Sequence, residues 1–232
     1  MCEIPAEVVE KFRAAVSELN ELVALDKLKL ADDKVESELR EWLDGDAETL
    51  PWAYSDRVTP DEWFFITTLY GPERLPEQRK HIRKYFPTLF VQAARRDIRK
   101  FVPNMMEYAG LRSAWMSKRL CRMGSILRER KLTMSDYAQE LREIEHTTPN
   151  NPTAALDQIK RDHSATGWKT LSVFVRDCVG GNCFPIDSRV RKELERHQLP
   201  VDERQLVGLA LATGCNPRQV ARLFYAAGGQ RP

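Results

Sequence analysis

Two side chains stand out for the chemistry they could do, Lys169 and Asp187, 18 positions apart. A lysine is a nucleophile only as a free amine, so an enzyme that uses one must favour the uncharged form by desolvation or nearby positive charge. Lys169 precedes the apolar run Leu171, Val173, Phe174 and Val175, and apolar surroundings are therefore expected for its amine. It also falls in the first turn of the helix this run predicts, where the helix dipole pushes the same way. Asp187 lies in Phe184-Pro185-Ile186-Asp187-Ser188-Arg189-Val190 and is read as the carboxylate partner of the amine. Each residue also has an ordinary reading. A lysine at a helix start can contact phosphate or cover surface, and aspartate is a preferred helix N-cap. The roles of cap and partner are compatible, because a capping aspartate is fixed in place by backbone N–H groups.

The intervening residues must bring the pair together. They leave room for about three helical turns and a short return loop at ~1.5 Å rise per residue. The Gly180-Gly181 pair marks the break where the helix ends. Upstream, Ser164-Ala165-Thr166-Gly167 forms a four-residue turn between a short helix ending near Arg161 and the helix that carries Lys169. If such a turn exposes its backbone N–H groups, these and the dipole of the following helix make a site for a phosphate oxygen. Gly167 removes a Cβ and permits close approach. The turn alone is equally compatible with a plain helix–helix connection.

Beyond this stretch helical patterning dominates. Val8, Val9, Phe12, Val16, Leu19, Leu22 and Val23 recur at three- and four-residue intervals, as on one face of a helix. Thr59-Pro60-Asp61-Glu62 is a helix start, with a hydroxyl cap, proline at the first position and acids in the first turn. Further helices are expected over residues 33–43, 76–85, 87–94 and 96–106. A long amphipathic one over 113–130 has Trp115, Met116, Leu120, Met123, Ile126 and Leu127 as its inner stripe. Thr133, Asp202 and Asn216 are expected to cap three more helices, the last ending at Gly228-Gly229. With no convincing strand, the fold class is all-α.

Composition narrows the function. Apolar residues at 42% and charged residues at 30% describe a folded chain. No run of about 18 apolar residues would span a membrane, and Met1-Cys2-Glu3-Ile4-Pro5 lacks the form of a signal peptide. The five cysteines are scattered, which suits reduced thiols in a cytosol and leaves out an iron–sulfur cluster. The four histidines have no metal-ligand spacing. The net charge of +2 conceals an asymmetry: roughly −10 over residues 1–62 and roughly +12 over residues 79–131. Such an imbalance suits one face built for a polyanion, although solvated basic helix faces would give the same count.

The run from His163 to Thr170 resembles the hairpin of the helix–hairpin–helix DNA glycosylase superfamily, commonly Leu-Pro-Gly-Val-Gly-x-Lys-Thr. Ile186-Asp187-Ser188-Arg189-Val190 is similar to that family's Val-Asp-Thr-His-Val segment, and Gly110-Leu111 followed after a longer gap by Lys118 is similar to its Gly-Leu-x-x-x-Lys helix start. Ala165 stands where the family has its first hairpin glycine, and the cluster cysteines of the endonuclease III-like branch are missing. Cluster-free 8-oxoguanine glycosylases look nearer.

The resemblance implies two helical lobes with the hairpin at the cleft. Residues 58–179 would form a helical barrel, and residues 1–57 would pack with residues 180–232 as the second lobe. It implies a base-excision enzyme for duplex DNA carrying a damaged, oxidised base, acting as a monomer in the cytoplasm (with the nucleoid) or the nucleus. Lys169 would form a Schiff base at C1′ of a flipped nucleotide and cleave the strand by β-elimination, with Asp187 stabilising the sugar's positive charge. Ser164, Ala165, Thr166 and Gly167 would hold one phosphate and Arg189 another. Trp115, Trp168 and Phe184 are candidates to stack on the everted base, though each also suits a core. No cofactor is implied beyond a possible structural alkali-metal ion at the hairpin. Two alternatives stay open: a monofunctional glycosylase for alkylated bases, and a non-enzymatic helix–hairpin–helix DNA-binding module.

Overall fold

The structure is a computed structural model that describes residues 4–30, 59–69, 97–104, 114–163 and 167–231. The helices expected over 33–43, 76–85 and 87–94 lie outside these residues, as do Gly110, Leu111, Ser164, Ala165 and Thr166. All regular structure among the described residues is helical. The helices are α1 (Ala6–Ala24), α2 (Pro60–Leu69), α3 (Ala114–Arg130), α4 (Met134–Thr147), α5 (Ala154–Asp162), α6 (Trp168–Phe174), α7 (Ser188–Arg196), α8 (Glu203–Ala212) and α9 (Pro217–Gln230). A 3₁₀ turn covers Ile98–Lys100, and α6 runs on into π-helical turns over Val175–Val179.

Local chemistry sets most helix starts. Thr133 and Asp136 form a reciprocal capping box at α4. Asp202 accepts the Gln205 N–H at α8, and Asn216 accepts those of Arg218 and Gln219 at α9, where Pro217 follows the cap. The helix expected over 96–106 is interrupted: Asp97 caps only the 3₁₀ turn, and Phe101 is extended (φ −74°, ψ 120°). Pro103 explains part of this, since it disfavours a helical conformation at Val102.

The buried apolar residues fall into two clusters. The first joins α2, the 3₁₀ turn, α3, α4, α5 and α6, with Phe64, Phe101, Met116, Leu120, Met123 and Phe174 among its buried members. The second joins α1, α7, α8 and α9, with Phe12, Leu19, Val190, Leu194, Leu206 and Phe224. The chain passes from one to the other between Cys183 and Phe184, and α1 returns to pack on α8 and α9.

One close approach seats α7. The last helix does not end at the glycine pair but continues to Gln230, and a Cβ on Gly228 would overlap the carbonyl oxygen of Arg189. Alanine in a helix ordinarily stabilises by about 1 kcal/mol over glycine. Here the overlap with backbone dominates, and Gly228→Ala is expected to destabilise the chain by about 3 kcal/mol. Urea unfolding checks this; a midpoint equal to or above the parent's would show that α7 and α9 do not meet in this way.

Candidate active site

Lys169 and Asp187 come together at the starts of two different helices. Lys169 is the second residue of α6, after an extended Gly167 (φ −61°, ψ 143°) as N-cap. Asp187 is the N-cap of α7, and its two oxygens divide their tasks. Oδ1 accepts the backbone N–H groups of Arg189 and Val190 at 3.0 and 2.9 Å, while Oδ2 lies 3.3 Å from Lys169 Nζ. Capping thus orients the carboxylate without consuming the oxygen that faces the amine.

The loop over residues 180–187 is fastened at two points, and the turns that lead into it at a third. Gly180, in a left-handed conformation (φ 80°), ends the π-helical turns, and Arg142 of α4 donates to the carbonyls of Cys178 and Val179 at 2.9 and 3.1 Å. Glu145, also on α4, accepts the N–H of Asn182 at 2.5 Å and that of Ala155 at 3.1 Å, and burial pushes its carboxyl up from the usual range. Glu203, the first residue of α8, accepts the Phe184 N–H at 2.7 Å and the Ser172 hydroxyl, both on Oε1. No local pattern announces these last two carboxylates as buried anchors: Glu203 reads as one more acid in a first turn, and Glu145 as one more on a charged face.

Glu203 also carries a pH dependence. Burial pushes its carboxyl from 4.5 up to about 7, against the pull of its hydrogen bonds. The folded chain therefore keeps a proton that the unfolded chain has released, so this group's contribution to stability falls as pH rises from 4.5 to 7. The full span is on the order of 3 kcal/mol. Asp61, pushed up to about 6 by burial, acts in the same direction. Glu203→Gln is expected to flatten the Glu203 part of this decline. Urea unfolding of both proteins at several pH values between 5 and 8 checks it; parallel curves would show that Glu203 is not the source.

The environment of the amine differs from the apolar enclosure expected. The Lys169 side chain is 45% exposed, whereas that of Asp187 is 14% exposed. Helical geometry explains this: Leu171, Phe174 and Val175 turn into the first core, leaving Ser172 and the half-buried Val173 one turn along the face of Lys169. Positive charge lies near Gly167 instead. The Arg119 guanidinium runs beside Gly167, about where a Cβ would make ordinary contact, at 3.4 Å. Arg119 is anchored from behind, since its carbonyl accepts a hydrogen bond from His163 Nε2 at 2.9 Å. Burial holds the His163 imidazole below its usual range, and its ring packs on Phe64.

Of the remaining predicted side chains, those of Phe184 and Arg189 are described. Phe184 is wholly buried in the second core, edge-on to Phe224, so it is a core residue and not part of a base pocket. Its backbone N–H, not its ring, serves the site. Arg189 is exposed and lies over the Tyr225 ring, donating to its hydroxyl at 3.1 Å. The side chains of Trp115 and Trp168 are outside the described structure, as are Ser164, Ala165 and Thr166 of the expected turn. Among the described residues no group of three or more His, Cys, Asp or Glu side chains is arranged to hold a metal ion, and no helix is long and apolar enough to cross a membrane. Comparison with protein-family models, with curated proteins and with solved structures found no match for the chain.

Proposed function

We propose that this chain is a DNA repair glycosylase with associated AP lyase activity. The observation that carries the reading is the 3.3 Å approach of Lys169 Nζ to Asp187 Oδ2, between residues 18 positions apart whose joining segment is held by three buried or partly buried groups. An amine beside a carboxylate at two converging helix starts suits attack on an everted sugar. Asp187 takes a proton from the Lys169 ammonium and passes it to the departing base. The free amine forms a bond to C1′ as the bond to the damaged base breaks, the base leaves with that electron pair and the proton, and Asp187 is ionised again. The secondary ammonium gives a proton to O4′ as the C1′–O4′ bond breaks, which leaves a protonated Schiff base. The Asp187 carboxylate then takes a C2′ proton, and the electron pair released expels the 3′ phosphate by β-elimination. Asp187 Oδ2 faces the positive charge that develops on the sugar.

The surroundings support a polyanionic substrate. Arg119 beside Gly167 and the exposed Arg189 supply positive charge near the start of α6 and at the start of α7. In this reading the two core clusters form two lobes, the hairpin holds a flanking phosphate and the damaged nucleotide enters between them. Oxidised guanine is the first substrate to test and oxidised pyrimidines the next. Borohydride reduction during incubation with duplexes that each carry one defined lesion is the direct experiment. A covalent protein–DNA adduct with one of them is expected; absence of an adduct with all of them removes the lyase mechanism.

The exposure of Lys169 favours one other reading, in which the lysine only binds phosphate in a non-enzymatic module. The adjacent Asp187 carboxylate weighs against it, because like charges repel where a phosphate would sit. Salt-dependent duplex binding with no base release would decide for the module.

A further inference from the structure

Ser172 lies one helical turn after Lys169, and Phe184 three residues before Asp187, so both members of the pair have a near neighbour bonded to a single atom, Glu203 Oε1. We infer that Glu203 is a positioning residue for the site: its buried carboxyl ties the helix that carries Lys169 to the loop that delivers Asp187. The inference rests on the reading of those two residues as the reacting pair. Glu203 is only 5% exposed and comes from a third element, the start of α8. The charged groups facing it include Lys160 from α5 and the neighbouring Asp202; the ion pair of Arg204 with Asp157 adds its charges on Lys160.

Amide and carboxylate differ in the role they can fill. Glutamine at 203 keeps an oxygen for both donors, whereas alanine leaves the Ser172 hydroxyl and the Phe184 N–H without this acceptor. Ionisation of Glu203 strengthens both bonds. The parent's reaction is therefore expected to accelerate through the pH range around 7, where this group ionises.

The test is single-turnover borohydride trapping at saturating lesion duplex, with duplex affinity measured alongside, at a temperature where each variant is folded. Glu203→Ala is expected to slow trapping about tenfold or more without weakening duplex binding, as a displaced reacting group does. Glu203→Gln should recover most of the rate and lose the inflection near pH 7. Trapping by folded Glu203→Ala at the parent's rate overturns the inference. Should that variant not fold, Ser172→Ala, which removes one of the two bonds, takes its place with the same two outcomes. If the parent itself traps no lesion, the reading of the site has failed, and the tie is tested without DNA. Reductive methylation of Lys169 by formaldehyde and cyanoborohydride is then followed by peptide mass spectrometry. An altered Lys169 rate in Glu203→Ala supports the tie, and an unchanged one overturns it.

Discussion

Lys169→Gln is expected to abolish the borohydride-trapped adduct, a loss of about a thousandfold or more, while duplex affinity changes by less than about threefold. Glutamine keeps much of the length of the side chain but cannot form an imine, so no covalent species remains to be reduced. The side chain is 45% exposed and outside both core clusters, so the substitution has no buried contact to break and the chain should unfold at nearly the parent's urea midpoint. Affinity is expected to hold because Arg119 and Arg189 remain. Equal trapping by variant and parent would remove Lys169 from the mechanism. Loss of trapping together with a large loss of affinity would instead make it a phosphate contact.

Asp187→Asn is expected to slow base excision by about a hundredfold, with stability nearly unchanged. Asparagine is as good an N-cap as aspartate, and its Oδ1 can accept the N–H groups of Arg189 and Val190 as the carboxylate does. What then faces Lys169 is an amide NH₂, a donor opposed to a donor, where Oδ2 had stood at 3.3 Å. The variant therefore separates the two tasks of this side chain: the cap survives, and the negative charge and the proton acceptor are lost. Asp187→Ala removes both, and a further cost of about 1 kcal/mol in stability is expected from the missing cap. Excision rate and unfolding midpoint must be read together. A rate equal to the parent's in Asp187→Asn would leave this residue a cap and nothing more.

The site was legible in part. Lys169 and Asp187 are legible because each sits at a helix start, and helix starts are written locally, in a glycine before an apolar run and in an aspartate followed by Ser-Arg-Val. Phe184 is misleading for the same reason: an aromatic residue near reactive groups looks like a stacking platform, and only its packing on Phe224 makes it core. Glu203 and Glu145 carry no local signal at all. Each accepts hydrogen bonds from segments far along the chain, and its role exists only once those segments are adjacent. Gly228 is similar: it reads as the end of a helix, but in the fold it is the gap into which the Arg189 backbone fits.

From sequence alone came the all-α class, the extents of α1, α3 and most of α9, the starts of α4 and α8, and the caps at Thr133, Asp187, Asp202 and Asn216. These depend on hydrogen bonds and apolar spacing within three or four residues, so neighbouring letters contain them. Tertiary structure alone decided that Lys169 meets Asp187 while remaining 45% exposed, that the chain changes core between Cys183 and Phe184, and that a buried carboxyl from α8 joins the two. Those outcomes come from side chains packing across helices distant in sequence, where burial and approach are properties of the assembled space and not of any local run of residues.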